Sequence, residues 1–374
     1  MSIERDRGQL VRVKDLRPTG AATAPDLTIR TSAASELLNL MGVLSDRQDE
    51  YDLGPQRLAE LRRQLPPDLL QELRDLDGAT GVSFHILSLL AADLPDPADV
   101  DELLEAFDAD RGKPWRLLLT HHVVGGDDTP DLAELDAVIQ GDEAALTTLL
   151  ERMQRDPARP EDVASLLAVE PEDLGARLIA AITAIRPLWD EVATEAMNPV
   201  LRDAEHRQQQ LDDGVDVAAI VLEATNGYEL TGDPAVHRII LQPSYWIRPW
   251  LIVGRSGDAE VLTTAVAEEF LVLPPEAPSP ALLKLFKALG DESRLKLLRR
   301  LSSGPISLAE ATAELDVAKA TTHHHLSILR QAGLVSVGGE GRISRYSLRE
   351  DPAEAAADLL AEYLQPHRTR PTGS

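Results

Sequence analysis

Apolar residues recur at steps of three and four through most of the first 225 positions, the period at which one face of a helix is buried. The runs are divided by "LPPD", "LPDP" and "GGDDTPD", whose Pro, Gly and Asp residues favour turns. The first run, "TSAASELLNLMGVL", follows a strand-like "DLTIR" at 26–30, and Thr31 or Ser32 can cap its helix. The longest spans 171–207, where Leu174, Leu178, Ile182, Ile185, Trp189, Val192, Ala196 and Val200 form one continuous stripe. Pro187 and Pro199 fall inside it and are expected to kink or divide the helix, because proline removes a backbone donor. From 228 to 267 the pattern changes to "RIILQPS", "WLIVGRS" and "EVLTTAV", which predict a small sheet. Four prolines in "LVLPPEAPSP" at 271–280 then predict a stiff linker.

After the linker, "ALLKLFKAL" reads as a helix ended by Gly290, and "DESRLKLLRRLSSG" as another, with Asp291 as cap and Gly304 as stop. Ser307 and Glu310 supply the S-x-x-E capping box of a third helix, "SLAEATAEL". A break at Asp316 and Val317 precedes "AKATTHHHLSILRQA", a helix over 318–332 closed by Gly333. Two short helices so closely joined are the helix-turn-helix arrangement. Thr322, Leu326 and Leu329 fall at i, i+4 and i+7 and define the buried face, so Lys319, Ala320, His323, His324 and Ser327 point outward. In such a motif that outward face enters the major groove of duplex DNA, its N-terminal half nearest the base edges. "LVSVGGEGRISRYSL" follows as a hairpin, a wing over 336–347 whose Arg342 and Arg345 are placed to meet the phosphate backbone or a narrow minor groove.

This segment resembles the ArsR/SmtB family of winged-helix regulators, on "LFKALGDESRLKLLRRL", "HHHLSILRQAGLVSV" and "GRISRYSL" taken in that order and spacing. The resemblance covers about 85 residues of the chain. It implies a homodimeric repressor of a palindromic operator, with the dimer built by the first and last helices of the domain, here "PALLKLFKAL" and "PAEAAADLLAEYLQ". On the second of these, Leu359, Leu360 and Tyr363 offer an apolar edge. Carried over by position, the DNA-reading stretch takes in Lys319, Ala320, Thr321, His323 and His324, while His325 and Leu326 match a packing pair. The thiolate pair of the family's metal sensors is absent. The last helix lacks a convincing Asp/His/His/Glu set, since His367 lies beyond its expected end, so metal sensing is not expected.

Composition alters this picture in two ways. The chain has no cysteine, which excludes disulfides, thiolate metal sites and cysteine nucleophiles. "MSIERDRGQL" lacks the apolar stretch of a signal peptide and no segment is apolar enough to span a membrane, so a soluble cytoplasmic protein is expected. The formal charge of −26 looks wrong for a partner of nucleic acid. From 278 to 350, however, eleven Lys and Arg face seven Asp and Glu, a net of +4 that leaves −30 on the remainder. An acidic body repelled by DNA turns the basic module toward it.

Other clusters carry less. His323, His324 and His325 diverge by about 100° per residue on a helix and cannot converge on one ion. His121 and His122 are adjacent and face opposite ways if the segment is a strand. In "PSYWIRPW" the aromatics Tyr245, Trp246 and Trp250 beside an Arg could line an apolar effector pocket, with core packing as the competing reading. No phosphate loop, nucleophile elbow or zincin motif occurs, so no catalytic residue, cofactor or metal is expected.

The fold class expected is mainly α with a small β component (α+β). Residues 1–27 form a flexible arm, 28–270 a helical domain with a small sheet for dimerisation or effector binding, 271–279 the linker, 280–365 the winged helix-turn-helix and 366–374 a disordered tail. The function expected is an ArsR-like transcriptional regulator of double-stranded DNA, with a small-molecule effector as a further partner. The alternative is a small-molecule receptor or enzyme-like N-terminal domain with the winged helix as accessory module.

Overall fold

The computed structural model describes residues 25–46, 51–79, 84–123, 132–155, 161–230, 236–256, 258–272, 278–340, 343–349 and 352–364. The arm, most of the linker, the tail, "GGDDTPD" at 125–131, Arg342 and His367 lie wholly or largely outside them. Strand β1 (Asp26–Ile29) opens the fold, and the Ser32 hydroxyl accepts from the Ser35 amide to start helix α1 (Ala33–Ser45). There follow α2 (Gly54–Gln64), α3 (Pro67–Ala79), α4 (Phe84–Leu87), a 3-10 turn at Ser88–Asp93, α5 (Val100–Ala109), α6 (Lys113–Val123), α7 (Leu132–Ile139), α8 (Glu143–Arg155) and α9 (Glu161–Leu167). His121 and His122 sit on helix α6, whose Leu117, Leu118 and Leu119 are buried.

The stripe read from the sequence becomes α10 (Pro171–Asp212), 42 residues and about 63 Å long at 1.5 Å per residue. Of the two outcomes expected of Pro187 and Pro199, a kink or a division, the second does not occur: the helix runs unbroken through both. The stripe residues Leu174, Leu178, Ile182, Ile185, Trp189, Val192, Ala196 and Val200 are all buried, and each large one contributes about 1.5–3 kcal/mol. Packing of that order outweighs two lost backbone bonds. Helix α1 is central, with twelve of its thirteen residues buried between α10, α3, α4 and α5.

After α11 (Val217–Ala224) come β2 (Arg238–Ser244), β3 (Ile252–Ser256) and β4 (Ala259–Ala265), the three strands that the pattern predicts. With β1 they form one mixed sheet, order β1-β2-β4-β3, parallel except between β4 and β3. One face packs Ile239, Leu241 and Leu262 on Ile220 and Val221 of α11, and the other packs Ile240 and Val261 on Leu89. Where the sheet meets α1 a buried polar chain runs inward. The Tyr51 hydroxyl bonds His85 Nε2 at 3.1 Å, His85 Nδ1 meets Asn39 Oδ1 at 3.2 Å, and Asn39 donates to Ser244 at 3.2 Å. Glu36 accepts from the Tyr245 amide at 2.9 Å. The His85 ring lies against Gly42, where a Cβ would come within 2.6 Å of it.

From residue 280 the chain builds a second hydrophobic cluster around Leu285, Leu297, Leu326 and Leu329. Its elements are α12 (Pro280–Leu289), α13 (Glu292–Leu301), β5 (Ile306–Ser307), α14 (Leu308–Leu315), α15 (Lys319–Gln331), β6 (Val335–Glu340), β7 (Ile343–Leu348) and α16 (Pro352–Leu364). The three strands order as β5-β7-β6, all antiparallel. The molecule is mainly α with small β components, and its C-terminal segment is a winged helix-turn-helix.

Candidate nucleic-acid interface

Local chemistry fixes each turn of the winged helix. Ser279 caps α12, Asp291 caps α13, and Ser307 with Glu310 closes the full capping box of α14. Buried Arg294 of α13 donates to the Ala288 and Lys287 carbonyls, tying α13 to the open end of α12. Asp316 takes the left-handed conformation, φ +53°, and turns the chain sharply from α14 into α15.

On α15, Thr322, Leu326 and Leu329 are fully buried, as their spacing requires. Lys319, Thr321 and His323 are exposed, while His324 and Ser327 are half-buried. Ala320 lies in the same first turn. Ala318 at the N-cap makes no side-chain cap bond, which leaves donor groups and a positive dipole end on the side that presents Lys319. Partial desolvation, then the charges of Arg330, His324 and Lys319, hold His323 below the usual imidazole range. A neutral ring can both donate and accept, as base edges require. His325 turns inward, 3.9 Å from Asp291, and the His324 and His325 rings stand 6.3 Å apart. Arg345 is exposed on β7, in register with Gly338 of the wing.

The joint between this segment and the acidic body was not among the features expected from the sequence. Arg330, near the end of α15, is buried and donates to the Thr225 carbonyl at 2.6 Å, and burial lowers its pKa to about 10. The Asn226 amide donates to the Arg330 and Gln331 carbonyls, at 3.2 and 2.8 Å, and accepts from Arg349. Residues 227–229 continue as a parallel partner of β6: the Val337 amide donates to Gly227 and the Glu229 amide to Val337, at 2.7 and 2.8 Å. Gly227, φ +106°, permits that approach, since a Cβ there would lie 3.0 Å from the Val335 carbonyl. Lys284 of α12 forms a second fastening, 2.7 Å from Asp52 and 3.2 Å from Glu268. The only local signal was "NG" at 226–227, a turn dipeptide.

Of the three aromatics singled out as effector contacts, Trp250 lines a cavity at this joint. Tyr245 bonds Glu195 and stacks under Arg248, and Trp246 is fully buried in the body core. Among the described residues no helix is long and apolar enough to cross a membrane.

The same segment matches known proteins in sequence. A family model described as a helix-turn-helix domain matches residues 289–338. An uncharacterized HTH-type transcriptional regulator of Bacillus subtilis is 40% identical over 70 residues, 18% of this chain and 70% of that protein. The biofilm growth-associated repressor of Agrobacterium fabrum is 35% identical over 92 residues, 23% of this chain and 79% of its own. The crystal structure of an ArsR family transcriptional regulator is 29% identical, covering 24% of this chain and 99% of that one, with a TM-score of 0.21. Through its C-terminal winged helix, and with a long N-terminal extension, the chain belongs to the ArsR/SmtB-type family of helix-turn-helix transcriptional regulators.

Proposed function

We propose that the protein acts as a homodimeric repressor that reads a palindromic operator with α15 in the major groove and the wing on the backbone or minor groove. The observation that carries this reading is the outward face of α15. Lys319, Thr321 and His323 are exposed at its uncapped end while Thr322, Leu326 and Leu329 anchor the other side. Ala320, His324 and Ser327 complete the reading surface, and Arg345 with Arg342 holds phosphates. Lys319, His323 and His324 read bases, and specificity comes from that stretch because phosphate contacts carry no sequence information.

The dimer reading has its own support. Helix α16 packs on α12, and Leu283, Phe286, Tyr363 and Leu364 stay exposed there, apolar surface that a second copy would cover. The relative from Agrobacterium fabrum is named a repressor and one from Vibrio cholerae an activator; the repressor reading follows the first. The test is selection of fragments from the source genome by the full chain, followed by retardation at increasing salt. The reading expects a two-fold symmetric sequence bound more tightly than scrambled DNA. Failure to retard any fragment at low salt would sink it.

A further inference from the structure

Two cavities lie at the joint between body and winged helix. One, of about 250 Å³, takes its lining from Tyr51 and Asp52 of the body, Leu283 and Lys287 of α12, and His324 and Ile328 of α15. The other, of about 220 Å³, reaches back toward Glu223, Thr225, Leu251 and Val266. Pro249, Trp250, Lys284 and Gln331 line both, so the two are immediate neighbours. Together they reach the size of sites that hold small organic ligands, about 300–1,000 Å³.

The lining divides by chemistry. Trp250, Pro249, Leu283 and Ile328 supply flat and aliphatic surface. The acceptors are already engaged: Asp52 and Glu268 hold Lys284, and Glu223 holds Arg207. What is left over is donors. Among the described residues Lys287 makes no ion pair, and the side-chain nitrogen of Gln331 is buried with no acceptor. A flat ring system satisfies the walls, and an anionic acceptor satisfies the donors.

We propose that the joint is a binding site for a small aromatic anion, its ring system against Trp250 and Ile328 and its carboxylate or equivalent group at Lys287 and the Gln331 amide. His324 lines the same cavity and belongs to the surface proposed to read DNA, so ligand and operator compete for it and the ligand lowers DNA affinity. That coupling rests on the regulator reading; the site itself does not.

Two fluorescent probes test the site on the full chain: 1-anilinonaphthalene-8-sulfonate, an aromatic anion, and N-phenyl-1-naphthylamine, its neutral counterpart. The anion is expected to saturate at one dye per chain. Lys287→Gln, a change at an exposed position, is expected to weaken the anion about tenfold and leave the neutral dye unaltered, whereas Trp250→Ala weakens both. Bound operator is expected to raise the dissociation constant of the anion, and the anion that of operator, by the same factor. Equal affinity of the anion for Lys287→Gln and parent overturns the proposal. So does dye lost in Tyr363→Ser but retained in Trp250→Ala, which would put it on the exposed apolar edge. Saturable dye without any DNA retardation would fail the regulator reading alone; DNA retardation without saturable dye would fail this site alone.

Discussion

Glu36 and His85 sit inside the body on either side of Asn39 and are displaced in opposite directions by the same cause. Burial raises the Glu36 carboxyl to about 7, against four hydrogen bonds that favour its charged form, and lowers His85 to about 4. A carboxyl that is harder to ionise when folded gives stability below about pH 4.5 and loses it as pH rises to about 7. A neutral buried imidazole gives stability above about pH 6.5 and loses it as pH falls to about 4. The two slopes oppose each other over one window. Glu36→Gln removes the first, so in urea titrations the variant is expected to gain about 3 kcal/mol on the parent between pH 4.5 and 7. A difference that does not change with pH would show that Glu36 ionises normally. On the DNA side, Arg345→Ala is expected to weaken all sequences alike and to reduce the salt slope by about one. His324→Ala is expected instead to relax discrimination between operator and scrambled DNA by about 1–3 kcal/mol. An unaltered salt slope or unaltered discrimination removes the respective residue from the interface.

At the scale of elements, what could be read from the sequence was what neighbours along the chain decide. Caps at Ser32, Asp291 and Ser307, the buried triplet of α15 and the three strands after residue 237 each depend on a few adjacent residues. The continuity of α10 through two prolines was not legible, because it is settled by packing against α1, α3, α5 and α6. Nor was the joint, where Asn226 meets Arg330 more than a hundred residues away. The buried and exposed faces of α15 were therefore visible while the element that holds the helix was not. Asn226 carries both a left-handed backbone, φ +52°, and three hydrogen bonds. Asn226→Gly keeps the backbone and loses the bonds; Asn226→Ala loses both, a penalty of about 2–3 kcal/mol on the joint. Hydrogen exchange at the Val337 and Glu229 amides is expected to speed up in both variants, more in Asn226→Ala. Unchanged protection would show that the backbone pairing with β6 stands without Asn226.

For the whole molecule, charge and symmetry decide behaviour together. The body carries the net acidity, whereas residues 280–365 hold eleven Lys and Arg against eleven Asp and Glu, so the apolar edge of α12 and α16 is where two copies can approach with the least repulsion. Phe286→Asp puts a charge into that edge at an exposed position. Sedimentation is expected to show dimer converting to monomer, with operator affinity falling in step; a variant that stays dimeric would place the interface elsewhere. The grip of residues 226–229 on both the end of α15 and the edge of β6 has a further result for such a pair. In the proposed dimer, α15, wing and body would travel as one block, so the distance between its two reading heads would be a gauge built into the protein. Two base pairs inserted between half-sites swing one of them about 70° around the duplex. A hinged tether would follow that rotation; a gauge of this kind would not, and the operator would be lost at a single change of spacing.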